Sequence, residues 1–186
     1  MRSTQGFSLV ELMIALTILS IILTVGLAKL PLLFEKTEVA VLQKTLAQHI
    51  SLAKSTAANS GLIVTLCPSE DYAECRGSWT RGSMIFIDRN GNRKVDSDDV
   101  VIRIRENDIR QGKLEWRAFG RRQYLQFDPK GYLLHQSGNF TYCDLMGDPT
   151  LTRQLIVNSV GRVRIATDSN GDNIREDSRG KPIKCS

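Results

Sequence analysis

Gly6-Phe7-Ser8-Leu9-Val10-Glu11 opens a stretch that continues as Leu12-Met13-Ile14-Ala15-Leu16-Thr17-Ile18-Leu19-Ser20-Ile21-Ile22-Leu23-Thr24-Val25-Gly26-Leu27-Ala28 without one charged residue. From Phe7 to Phe34 only Glu11 and Lys29 carry charge. A helix crosses a hydrocarbon core with about 20 apolar residues, so the length predicts a membrane helix. A buried helix of a soluble protein would show a polar face, and none precedes Lys29. A cleaved secretory signal would end its apolar part after about 7–15 residues at an A-x-A-like site. Here the apolar run is longer, and the small residue, Gly6, stands before it. Glu11 is the oddity. A carboxylate near the start of a membrane helix is costly; it either lies at the interface or meets a cation. A cut after Gly6 would create such a cation, the new amine of Phe7, on a neighbouring copy.

Around this stretch the chain has 186 residues, 41% apolar and 24% charged. That average excludes a polytopic membrane protein, a collagen-like chain and a fully disordered one. The apolar stretch is therefore an appendage on a polar domain. Pro31 lacks the N–H for an unbroken ladder and predicts a kink. Beyond it Val39, Leu42, Leu46, Ile50, Ala53 and Ala57 recur at steps of three and four, one face of an amphipathic helix. Asn59-Ser60-Gly61 stops it, with Gly61 suited to a left-handed cap. The whole helix, Phe7 to about Asn59, would measure roughly 80 Å. Short segments rich in Val, Ile, Phe and Tyr follow, at 62–67, 84–88, 100–105, 124–127, 132–135, 140–143, 154–158 and 162–167. Turn residues separate them, which predicts antiparallel sheets.

Cys67, Cys75, Cys143 and Cys185 all fall in this β-rich part, and four cysteines allow three pairings. Cys67–Cys75 would close a short loop through Pro68, and Cys143–Cys185 would tie down the C-terminus; this is the pairing we expect. Zinc would ask for paired C-x-x-C spacing, which is missing. Asp88-x-Asn90-x-Asn92 and Asp168-x-Asn170-x-Asp172 look like the start of a calcium loop. Such a loop needs Gly at position six and Glu at twelve. Arg93 and Asn173 stand at six, Asp99 and Arg179 at twelve. Asn90-Gly91 and Asn170-Gly171 are strong turn signals, so turns are favoured over calcium sites and no metal is assigned, while Asp96-x-Asp98-Asp99 keeps a weak cation reading open. His49 borders the helical stripe and reads as a structural histidine.

The hexapeptide Gly6 to Glu11, with the basic leader Met1-Arg2-Ser3-Thr4-Gln5 and the apolar run, resembles the type III signal of type IV prepilins and type II secretion pseudopilins. The resemblance implies that a prepilin peptidase removes residues 1–6 and methylates the amine of Phe7. It also implies that Glu11 neutralises that amine on an adjacent subunit during assembly. Cys67-Pro68-Ser69, Cys75, Trp79, Phe86-Ile87-Asp88 with Asn90-Gly91, and Gly161-Arg162-Val163-Arg164 are similar to the GspH/FimT branch of these prepilins. The implied fold is α+β and type IV pilin-like: a long N-terminal transmembrane and amphipathic helix packed on antiparallel β-sheets. The implied organisation is a leader at 1–6, a transmembrane helix half at 7–33, an amphipathic half at 34–61 and a β-rich head at 62–186. The chain would sit once through the bacterial inner membrane with its head in the periplasm, then join the pilus beside other major and minor pilins.

Charge indicates where a further partner would bind. The net charge is +5. Residues 101–122 hold seven cations against three carboxylates, and residues 161–186 hold six against four. Arg162 and Arg164, two apart on a strand, would face solvent together while Val163 and Ile165 pack inward. Two guanidinium groups side by side suit phosphate. Gly161 would turn the chain and let a phosphate approach. In FimT members a Gly-Arg-x-Arg motif is associated with DNA binding during natural transformation, and the resemblance carries this role to Gly161, Arg162 and Arg164. Charge alone adds Arg121, Arg122, Arg175, Arg179, Lys181 and Lys184 as accessory contacts. No P-loop, G-x-G-x-x-G or G-x-S-x-G occurs, so neither an enzyme nor a cofactor is expected. The leading expectation is a minor type IV pilin that binds DNA weakly and without sequence preference. The alternatives are a structural priming or tip minor pilin, and a minor pseudopilin of type II secretion.

Overall fold

The computed structural model describes Gly6 and residues 8–27, 30–107, 109–134 and 136–185, with the backbone alone at 25–27 and 30–32. The chain divides into two units, Met1–Glu38 and Val39–Ser186. In the first, helix α1 spans Leu9–Leu27. Ser8 caps it: Glu11 N–H donates to the Ser8 hydroxyl at 3.2 Å, and Leu12 N–H to the Ser8 carbonyl. Ser8-x-x-Glu11 is thus the Ser-x-x-Glu pattern of a helix start, with Glu11 at its third position. Among the described residues no helix is long and apolar enough to cross a membrane. The 19 residues of α1 rise about 28 Å, against a core of about 30 Å.

Helix α2 spans Leu30–Ser60. Pro31 lies near the start of its described range, and residues 28 and 29, next to the kink expected at Pro31, lie outside the described residues. Val39, Leu46, Ile50, Ala53 and Ala57 are buried, and Leu42 packs half-buried beside them, which is the expected stripe. Gly61, at φ +66°, closes the helix with its N–H on the Ala57 carbonyl.

Two four-stranded antiparallel sheets follow in the second unit. Strands β1 (Val64–Pro68), β2 (Gly82–Ile87), β3 (Val100–Glu106) and β5 (Leu125–Phe127) form one sheet, in the order β3-β2-β1-β5. Strands β4 (Gly112–Ala118), β6 (Gly138–Asp144), β7 (Arg153–Val157) and β8 (Val163–Ile165) form the other, in the order β4-β6-β7-β8. The helical stripe meets Val64, Leu66, Leu125 and Phe127 of the first sheet and Leu114, Trp116, Phe140, Leu155 and Val157 of the second in one core. Phe140 is its centre, edge-on to Trp79 at 4.7 Å and tilted on Trp116 at 4.5 Å. Burying such rings dominates core energetics. A smaller cluster, Cys67, Met84 and Phe86, lies beneath Tyr72, Cys75, Val95 and Tyr124. Cys67 is bonded to Cys75 and Cys143 to Cys185.

Two differences from the expected strands have physical causes. Strand β4 is absent from the sequence reading, although Gly112, Leu114 and Trp116 are buried and alternate with Lys113, Glu115 and Arg117. Its charges draw attention away from a clear period of two. Conversely, the described residues 132–134 form no strand. Asp128 folds the chain into a turn by accepting the N–H groups of Lys130 and Tyr132, and only a single bridge, Leu133 to Phe127, follows. His135 lies outside the described residues.

Candidate nucleic-acid interface

Strand β8 forms one edge of the second sheet, so among the described residues no strand pairs with its outer side. The turn before it is built by Asn158. Gly161 N–H donates to the Asn158 carbonyl, and Arg162 N–H to the Asn158 side chain at 2.8 Å. Gly161 adopts φ +71° and is buried; a Cβ there would lie 2.9 Å from the Phe127 ring and 3.2 Å from Lys54 Cδ. Lys54 of α2 also donates from Nζ to the Val160 carbonyl at 2.8 Å. Gly161 is thus a turning and packing residue: the space a Cβ would take is filled by Phe127 and Lys54, while its other side borders a groove of about 440 Å³ shared with Lys54 and Val163.

Arg162 and Arg164 are both exposed, and among the described residues no hydrogen bond or ion pair holds either guanidinium. Val163 between them packs half-buried against the core. Ile165 departs from the expected pattern: it is 45% exposed, and Ala166 is the next buried side chain. The strand is only three residues long, so its period of two does not carry inward packing on to Ile165.

Register extends the surface across the sheet. Arg164 pairs with Ile156, Ile156 with Asn139, and Asn139 with Arg117. Directly opposed residues share a face, so Arg164 and Arg117 stand on one face at the two edges, three strand spacings or about 14 Å apart. Arg117 is paired with Glu115 at 3.1 Å. On this face Arg117, Asn139, Gln154 and Ile156 form one wall of a groove of about 530 Å³. Asp177, Arg179, Lys181 and Lys184 contribute to the other. Four cations thus face one carboxylate. The backbone N–H groups of Lys181 and Arg179 hold the Asp177 carboxyl below its ordinary range, so it stays an anion at Arg179, 3.3 Å away.

The structure therefore gathers Arg179, Lys181 and Lys184 of the expected accessory set and adds Arg117. Its signal in the sequence was the alternation of β4. Arg121 and Arg122 follow β4, at the edge away from β8. Arg175 is only half-exposed and lies near the buried Arg153, whose pKa is lowered by burial and by Arg175. At the N-terminus Gly6 is exposed, every described side chain from Ser8 to Thr24 is exposed, and Phe7 lies outside the described residues.

The family model described as type II transport protein GspH matches residues 43–161, and that of the prokaryotic N-terminal methylation motif matches residues 1–27. The first match ends at Gly161, so Arg162, Arg164 and the C-terminal wall of the groove lie beyond it. No curated protein matches the chain. A crystal structure of the type IV minor pilin FimU from Pseudomonas aeruginosa strain PAO1, in space group P21, is similar in fold. The TM-score is 0.52 at 18% identity, covering 72% of this chain and 91% of that one. The P65 form of the same pilin gives 0.48 at 17% identity, covering 67% and 90%.

Proposed function

This chain belongs to the family of the type II transport protein GspH and is a minor type IV pilin or pseudopilin, and from that premise we propose that it captures DNA for uptake through Arg162 and Arg164. The observation that carries the reading is the pair of exposed guanidinium groups at the sheet edge, unpaired among the described residues, beside a groove richer in cations than in carboxylates. Arginine favours phosphate because its planar fork makes bidentate contacts. No aromatic side chain interleaves the pair, so affinity comes from the backbone of the nucleic acid and sequence preference is low.

Assembly supplies the rest of the reading. The exposed apolar face of α1 is a surface that lipid or other pilins cover. A prepilin peptidase cuts after Gly6 and methylates Phe7. Glu11 then pairs with the Phe7 amine of the next subunit, and the chain passes from the inner membrane into the fibre. The test is a gel-shift with a fragment starting near Lys36, at low and physiological salt. Log affinity should fall with log salt by about 0.9 per phosphate neutralised on duplex DNA. Arg162→Gln with Arg164→Gln should weaken binding and lower that slope by about 2; an unchanged affinity sinks the assignment. A second reading, a minor pseudopilin of type II secretion, is favoured by the description of the matching family. Deleting the gene would then stop export of folded enzymes and leave DNA uptake intact.

A further inference from the structure

Asp168, Asp172 and Glu176 each place a carboxylate oxygen within 4.8 Å of the other two. Glu176 is 7% exposed. Its Oε2 accepts the N–H and hydroxyl of Ser169 at 2.8 and 2.9 Å, but Oε1 is buried with no hydrogen-bond partner. A buried carboxylate oxygen with no donor is expensive unless a proton or a cation meets it. Two further carboxylates beside it favour a cation. We propose that residues 168–176 form a calcium site in which Asp168, Asp172 and Glu176 are the anionic ligands.

The spacing supplies the remaining ligands. Counting Asp168 as position one, Asn170, Asp172, the Ile174 carbonyl and Glu176 fall at three, five, seven and nine, the calcium-loop order. That loop asks for Gly at six because the backbone turns sharply there. Asn173 meets the demand at φ +68°, as Asn tolerates this conformation. Glu176 at nine provides directly the acidic ligand that Arg179 cannot provide at twelve. A separation of 4.8 Å is about twice a Ca–O bond of roughly 2.4 Å, the widest that two ligands of one ion can have. Every donor is oxygen, which excludes the softer metals.

The chain contains its own control. Residues 88–96 repeat three of the turn's hydrogen bonds and differ at the glycine, since Gly171 N–H donates to the Asp168 side chain at 2.7 Å and Gly91 N–H to the Asp88 carbonyl. Arg93 N–H donates to Asp88 as Asn173 N–H does to Asp168, Asn92 N–H to Asn90 as Asp172 N–H to Asn170, and Lys94 N–H to Asn92 as Ile174 N–H to Asp172. There position five is an amide, and Asp96 at position nine is satisfied by the side-chain amides of Asn90 and Asn92 at 2.8 and 2.7 Å. Asp88 Oδ1 is also bare, but among the described residues no second carboxylate trio exists. The difference lies at position five, where Asp172 adds a carboxylate, and at position nine, where two amides satisfy Asp96 while Glu176 Oε1 has no donor.

Titration calorimetry of the full chain in detergent, stripped with chelator and then given CaCl2, tests this. We expect one saturable site with Kd of about 10⁻⁴–10⁻³ M, the range of extracellular modules. Asp172→Asn, at an exposed position where an amide oxygen can still accept the Ile174 N–H as Asn92 accepts that of Lys94, should weaken it at least about tenfold, as should Glu176→Gln. Asp96→Asn should leave it unchanged. No saturable heat up to about 10 mM calcium, or equal binding by wild type, Asp172→Asn and Glu176→Gln, overturns the site. DNA binding by Arg162 and Arg164 stands or falls separately, in the gel-shift.

Discussion

Glu11 has two separate reasons to be where it is. It occupies the third position of α1, where its N–H is satisfied by Ser8 and a carboxylate suits the helix N-terminus. In the proposed assembly it is also the charge that a subunit presents to a neighbouring amine. Glu11→Gln separates them, because glutamine serves the cap but carries no charge. We expect Glu11→Gln to be stable and membrane-targeted, yet missing from sheared fibres on immunoblots, like Glu11→Ala. Normal incorporation of the glutamine variant would leave the cap as the whole explanation. His49 gives a second residue-scale test. Burial, then Arg105 and Arg103, lower its pKa from the ordinary 6.5. The unfolded chain therefore binds more protons than the folded one, and stability rises with pH. The contribution is complete above about pH 6.5 and is lost as pH falls through the lower, folded value. Denaturation midpoints between pH 7.5 and 5 should fall for wild type and flatten for His49→Gln. The depressed carboxyls of Asp168 and Asp177 titrate lower still, below their ordinary 3.8, so they do not share this window.

At the scale of elements, the parts readable from the chain are those set by local period. The stripe on α2 and its stop at Gly61 follow from spacing and one left-handed glycine. Strand β4 was equally periodic and was obscured by its charges. What a single chain does not display is which strands lie side by side, because register depends on contacts far apart in sequence. Arg117 joins the face of Arg164 only through two intervening strands, and spacing never places them together. Gly161 shows the same limit. Its positive φ was foreseeable from a turn before a strand, but its contact with Phe127 comes from the other sheet. Gly161→Ala should therefore be destabilising on two counts, left-handed strain and a 2.9 Å approach to that ring. We expect a loss of about 1–3 kcal/mol by chemical denaturation. A variant as stable as wild type would show that the loop relaxes and that the glycine serves something other than packing.

At the scale of the folded head, the C-terminal segment is the part with the least core of its own. Ile183 is its buried anchor, its N–H donating to the Arg175 carbonyl, and Glu176 pairs with Pro182 across a bridge. The covalent hold is Cys143–Cys185, which ties the segment to β6 across 42 residues. That segment carries Arg179, Lys181 and Lys184, so the disulfide fixes one wall of the groove without contributing any charge to it. Replacing both cysteines by serine should cost about 2–4 kcal/mol, because a cross-link of this span restricts the unfolded chain. It should also affect DNA binding in a specific way. If the three cations meet phosphates, freeing their segment removes up to about 0.9 from the salt slope for each one displaced, while Arg162 and Arg164 stay on β8 and keep their share. Gel-shifts of the double serine variant across a salt series read this directly. A slope equal to wild type, in protein verified as folded by circular dichroism, would confine the nucleic-acid contact to the β8 arginines and free the groove for another role.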